Sequence, residues 1–170
     1  YFISEYSFDS AFSIYKKIPT IVQIEGVQIS EEDLQKFDKQ ITDFASLQKL
    51  LNERNLTEMV SITIATALKF EASDIHVEAE AADVKLRMRV DGMLHDVGVL
   101  PIASFAKISS RIKLLAGLKL NIGDKPQDGR FTISAKKDKI DVRVSVIPAA
   151  YGESIVMRIL RAASVGFAFA

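Results

Sequence analysis

Apolar residues recur at three- and four-residue spacing through the first part of the chain and at every second position beyond about residue 72. This change of period separates a helical part from a sheet part. Phe8, Phe12 and Tyr15 lie at helical spacing behind a Ser7 cap, and "KIPTIVQIEGVQ" breaks that pattern, so a short helix and a connector are predicted at the start. From Ser30 the run "SEEDLQKFDKQITDF" has acidic residues in its first turn and places Leu34, Phe37, Ile41 and Phe44 on one face of an amphipathic helix. A further short helical stretch surrounds Leu47 to Leu51. Asn55 with Glu58 has capping-box spacing ahead of "LTEMVSITIATALKF", a long helix that is apolar on more than one face and is predicted to be well buried.

The strands follow. "SDIHVEAE" sends Ile75 and Val77 to one side and Asp74, His76 and Glu78 to the other. "DVKLRMRVDG" sets Val84, Leu86, Met88 and Val90 against Lys85, Arg87 and Arg89, and Asp91-Gly92 signals a tight turn into "MLHDVGVL". Pro101 opens a predicted third helix with Ile102, Phe105, Ile108, Ile112 and Leu115 on its apolar side. Lys107 and Arg111 share its polar side, and Gly117 is its C-cap. The loop "NIGDKPQDG" is predicted to lead into a strand "RFTISA" opened by Arg130, and "KKDK" to turn it into the hairpin "DVRVSVIPAAYGESIVMR". Pairing the hairpin on its apolar pattern sets Val142, Val144 and Val146 opposite Ile159, Met157 and Ile155. It also sets Arg143 opposite Arg158. Helices first, then antiparallel strands with one helix inserted, predict an α+β fold in which one face of the sheet is covered.

Composition adds an asymmetry to this picture. The formal net charge is zero, yet residues 1 to 80 carry 7 Lys/Arg against 14 Asp/Glu and residues 81 to 170 carry 15 against 8, with seven of the eight arginines in the second part. Arginine favours forked contacts to carboxylate or phosphate. The absence of cysteine leaves no disulfide framework and suits a reducing compartment. No apolar run approaches the ~18 residues of a membrane span, and the start lacks the basic region of a signal peptide, so a soluble, cytoplasmic chain is expected.

Several chemistries lack their residues. No G-x-x-x-x-G-K-[ST] phosphate loop occurs, so this chain alone is not expected to hydrolyse ATP. His76 and His95 stand on different strands, and Asp74, His76 and Glu78 suit a hydrogen-bonding strand face better than a metal site, so no metal is expected. No nucleophile elbow is evident. Aromatic residues do not interleave with the basic ones, which serves nucleic-acid stacking poorly. The arginines remain. At ~5 Å the Arg143 and Arg158 charges repel by ~1 kcal/mol even with water-like screening. Two readings stay open: Asp141 or Glu153 neutralises the pair, or the pair is an anion clamp that gains forked bonds from an arriving polyphosphate.

Six stretches carry a family resemblance: "ASDIHVE" at 72–78, "RMRVDGML" at 87–94, "SSRIKLLAGL" at 109–118, "PQDGR" at 126–130, "DVRVS" at 141–145 and "YGESIVMRIL" at 151–160. In this order and spacing they resemble the secretion ATPases of the type II secretion and type IV pilus assembly class, over roughly residues 50 to 165. The resemblance implies the second N-terminal, PAS-like domain of a cytoplasmic hexameric motor whose RecA-like ATPase domain follows. By that likeness, residues 1–26 are the end of the preceding domain and a connector, 27–165 the PAS-like domain, and 166–170 the start of the linker to the ATPase domain.

The resemblance further implies that Arg143 and Arg158 reach the phosphates of ATP bound, with Mg, on the ATPase domain of the same or a neighbouring subunit. Arg89 would be a further contact, and Arg130 and Arg111 match family motifs with domain or subunit contacts. Lys125 stands where members often carry arginine, which removes a forked contact there. The fragment itself is expected to hold no cofactor and to be no enzyme. Inner-membrane platform and cytoplasmic scaffold proteins are the implied partners, nucleic acid is not, and the location is cytoplasmic and peripheral to the inner membrane. The competing expectation is a stand-alone PAS-like adaptor or sensor that binds a protein or small ligand.

Overall fold

The structure is a computed structural model, and it describes Phe37, residues 40–53, 56–135 and 138–160. Helices α1 (Phe44–Glu53) and α2 (Leu56–Lys69) come first, followed by strands β1 (Asp74–Ala79), β2 (Asp83–Val90) and β3 (Met93–Pro101). A 3-10 turn, Ile102–Ser104, runs into α3 (Phe105–Leu115), and β4 (Gln127–Ala135), β5 (Asp138–Ala149) and β6 (Gly152–Leu160) follow. The six strands form one sheet in the order β3-β2-β1-β6-β5-β4, with every neighbouring pair antiparallel. The expected α+β class, an antiparallel sheet with helices packed on one face, is the architecture observed.

Alternation fixes the sheet. Ile75 and Val77 of β1, Val84, Leu86 and Met88 of β2, Val142, Val144 and Val146 of β5, and Ile155, Met157 and Ile159 of β6 are all buried. Each such side chain contributes ~2 kcal/mol of burial. A one-residue slip in any pair would turn its set to solvent. The β5–β6 register is the one expected, with Val142, Val144 and Val146 opposite Ile159, Met157 and Ile155. Asp91 and Gly92 both take positive φ, +50° and +79°, as a tight β2–β3 turn requires.

On the covered face α2 is buried nearly all round. Its two buried threonines satisfy their hydroxyls within the helix, Thr63 Oγ1 donating to Met59 O and Thr66 Oγ1 to Ile62 O, both at 2.8 Å. The third helix begins one turn later than Pro101 suggests. Ile102 lies in the 3-10 turn and stays partly exposed, while Ile108, Ile112 and Leu115 carry the core contact. Gly117 ends α3 as expected, at φ +69°. Its N–H donates to Leu114 O, and the Leu118 N–H donates to Lys113 O, so the last carbonyls of the helix are satisfied.

The strand expected to open at Arg130 opens at Gln127, because Gln127, Asp128 and Gly129 already pair with Val146, Ser145 and Val144. Gly129 is therefore a strand glycine. A Cβ on it would stand 2.4 Å from Ala116 O and 2.7 Å from Leu118 Cδ2, so the end of α3 lies directly against its backbone. Gln127 braces the same junction: its Oε1 accepts from Lys119 N and its Nε2 donates to Lys119 O. Gln48 of α1 makes a similar contact with the edge strand β3, accepting from Val99 N at 2.6 Å and donating to Val99 O at 2.9 Å.

The helix expected at residues 7–17, most of the helix from Ser30, the Asn55 cap, the first half of the "KKDK" turn and the three domain limits lie outside the described residues, while Asp138 and Lys139 of that turn are already strand, paired with Ala135 and Ser134. Phe37 and Ile41, expected on one helical face, are both buried, and Ile41 N donates to Phe37 O at 2.9 Å.

Candidate anion-binding site

The polar face of the sheet, opposite the helices, carries a row of charge. Arg130 on β4 pairs with Arg143 on β5, Arg143 with Arg158 on β6, Arg158 with Asp74 on β1, and Asp74 with Arg89 on β2. Directly paired residues of antiparallel strands project from the same face, and strands lie ~4.8 Å apart, so the five charges follow one line of roughly 20 Å across the sheet. The same alternation that buries Val142 and Val144 lifts Arg143 into solvent.

One carboxylate serves the row. Arg158 Nε donates to Asp74 Oδ1 at 2.8 Å, Ser73 Oγ donates to Asp74 Oδ2 at 2.8 Å, and Arg89 Nε stands 3.4 Å from Oδ2. Arg89 Nη1 also donates to Gly92 O of its own turn, at 3.0 Å. The two neutralising groups expected from sequence are engaged elsewhere. Asp141 accepts from Thr132 Oγ1, and Glu153 binds Lys113 and Ser109 on the covered side. Among the described residues, Arg143 and Arg130 lie within 4.0 Å of no carboxylate; they border an open groove with Asp128, Ser145 and Arg158.

Burial pushes the Asp74 carboxyl up, but the bonds from Arg158 and Ser73 and the charges of Arg158 and Arg89 outweigh it and hold the group below its ordinary 3.8. The bond to Asp74 raises Arg158 in turn. A carboxyl depressed in the folded state contributes stability above its unfolded pKa and loses it as pH falls through the folded value. The stability difference between the native chain and Asp74→Asn is therefore expected to be constant near neutrality and to shrink as pH is lowered through and below 3.8. Urea midpoints measured between pH 6 and pH 2.5 check this.

The neighbouring rows are internally balanced. Arg87 donates to Glu78 at 2.8 Å, to Asp96 at 2.9 Å and to Glu80 at 3.4 Å, and Lys85 pairs with Glu80 at 3.0 Å. Asp74, His76 and Glu78 do share one face, but both carboxylates are directed to arginines. Among the described residues no group of three or more His, Asp or Glu is placed to hold a metal ion. Arg111 rides α3 in the helical layer, outside the row. The structure thus brings Arg89, Arg130, Arg143 and Arg158 together and leaves Arg111 apart. The sequence reading missed Asp74 as their counter-ion. Its pairing with Arg89 is legible by setting Ile75 and Val77 against Met88 and Leu86, while its pairing with Arg158 joins strands 84 residues apart and has no local signal.

Four cations and one anion on an open face present unused N–H donors to a multiply charged anion, and repulsion between Arg143 and Arg158 is relieved when one binds. The model of the family described as "Type II/IV secretion system protein" matches residues 49–170. Type II secretion system protein E of Xanthomonas campestris pv. campestris is 40% identical over 129 residues, which cover 75% of this chain and 22% of that protein. Type IV pilus assembly ATPase PilB of Pseudomonas aeruginosa is 37% identical, covering 83% of this chain and 25% of that protein. Its namesake in Myxococcus xanthus is 33% identical, covering 92% and 28%. The chain spans about a quarter of the length of these curated relatives, and it belongs to the type II/IV secretion system protein family.

Proposed function

We propose that this chain is a non-catalytic N-terminal domain of a hexameric secretion or pilus-assembly motor. Arg143 and Arg158 contact the phosphates of ATP, bound with Mg on an adjoining RecA-like domain of the same or a neighbouring subunit. The observation that carries this reading is the row itself, with Arg130, Arg143 and Arg158 on three successive strands and a single carboxylate at one end. Two exposed arginines held side by side repel, and a phosphate that accepts from both converts that cost into affinity for the nucleotide-bound state. Arg89 and Arg130 extend the cationic surface at either end. Arg111, on another layer, serves a domain or subunit contact.

A rigid sheet whose arginines grip phosphate only while ATP is present moves with the nucleotide state of its partner, which is how such a domain transmits force. In that role it works in the cytoplasm, at the inner membrane, through platform and scaffold proteins and without nucleic acid. Among the described residues, the core between the helices and the sheet offers no room for the small ligand of a sensor. The gap between α2, α3 and the sheet, lined by Met59, Val60, Ile108, Ile112 and Met157 among others, is ~20 Å³, space for one water.

In the full-length protein Arg143→Ala and Arg158→Ala are each expected to lower ATP turnover by ~100-fold or more, the scale of a lost donor to transition-state charge. The isolated chain should keep its circular-dichroism spectrum in both variants and its melting temperature in Arg143→Ala, while Arg158→Ala should melt lower because the buried Asp74 loses its main partner. Near-normal turnover by both variants overturns the reading.

A further inference from the structure

We infer that Asp74 is a positioning residue for Arg158, fixing the direction in which that guanidinium presents its terminal N–H groups to the phosphate; this rests on the reading of the site given above. A guanidinium offers five N–H donors, one on Nε and four on the terminal nitrogens. Asp74 Oδ1 takes the Nε donor at 2.8 Å, so the side chain is held at its inner nitrogen while 65% of it stays exposed. The fork formed by the two terminal nitrogens is left for a ligand.

The holder is itself held. The Asp74 side chain is 6% exposed, its second oxygen accepts from Ser73 Oγ at 2.8 Å, and Arg89 Nε stands 3.4 Å from that oxygen. The adjoining backbone is fixed on both sides, because Ser73 N donates to Arg89 O and Ile159 N donates to Ser73 O, each at 2.9 Å. Arg143 and Arg130 have no such partner among the described residues. Of Arg130, Arg143 and Arg158, it is therefore Arg158 whose orientation is set before a ligand arrives, and preset donors cost no reorganisation when charge develops.

The test is a double-variant cycle on ATP turnover in the full-length protein, with Asp74→Ala, Arg158→Ala and the pair. Acting through Arg158, Asp74→Ala should lower turnover about tenfold where Arg158 is present and less than twofold where it is absent, since the groups then work as a unit. Asp74→Asn keeps an oxygen toward Nε, so it should retain more turnover than Asp74→Ala and guards against loss of folding. The Arg158 Nε–H resonance of this chain, followed by nitrogen-15 NMR, should exchange slowly with water in the native form and rapidly in Asp74→Ala. Equal losses from Asp74→Ala with and without Arg158 mark a purely structural carboxylate and overturn the inference alone. Normal turnover by Arg158→Ala alone overturns this inference, and normal turnover by Arg143→Ala as well overturns the phosphate reading.

Discussion

Glu153→Ala is expected to destabilise the domain by about 3 to 5 kcal/mol, the cost of leaving one member of a buried ion pair without its partner. Lys113 of α3 is only 3% exposed; its Nζ donates to Glu153 Oε1 at 2.5 Å and to Ile122 O at 2.8 Å. Ser109 Oγ donates to the other Glu153 oxygen at 2.8 Å. These bonds tie the helix and the loop after it to the start of β6, 40 residues further on. Without the carboxylate the lysine must either stay buried against one carbonyl or pull the helix end open to reach water. Urea denaturation should show the loss as a lower midpoint with an unchanged slope. Lys113→Met combined with Glu153→Gln, which removes the buried cation and keeps an acceptor for Ser109, should recover much of it. A shift below about 1 kcal/mol for Glu153→Ala would place the pair among exposed salt bridges and contradict its burial.

Gly129→Val should cost at least about 3 kcal/mol, at or beyond the upper end of ordinary overpacking, because the atom it meets first is backbone. A Cβ alone would stand 2.4 Å from Ala116 O, which cannot rotate aside as a side chain would, and 2.7 Å from Leu118 Cδ2. Relief requires β4 to move from the end of α3, which breaks the Gln127 bonds to Lys119 and displaces Arg130, the next residue in the row. Gly129→Ala meets the same oxygen and should lose less, having no further branches. Thermal melts of the two variants check the ranking. A valine variant as stable as the native chain would mean that α3 and β4 are not in contact.

Gly117 and Gly129, which the sequence puts at a helix end and in a loop, do different work. Gly117 takes the left-handed conformation its helix end needs, and a glycine after "LLA" signals it. Gly129 needs space, not an unusual φ, and nothing local in "PQDGR" distinguishes the two cases. The end of α2 is similarly hidden: Glu71 takes φ +55° with no glycine, and Ala72 N donates to Ala67 O to close the helix. The β5–β6 hairpin was legible because six alternating apolar residues admit one register, and the opposed arginines followed from it. The full row was not, since it depends on β1 lying beside β6. That pairing is set by how the two hairpin systems share a core, not by any local pattern. For the same reason Asp74, not Asp141 or Glu153, is the counter-ion.

The amide of Gln48 occupies both backbone groups of Val99 on the outermost strand. An exposed strand edge invites another strand to add to it, and here that invitation is withdrawn at the point where α1 crosses. A strand of another chain therefore cannot add to the sheet through Val99. A partner that meets this edge at Val99 must do so through side chains, in a contact that separates again without breaking a hydrogen-bond ladder.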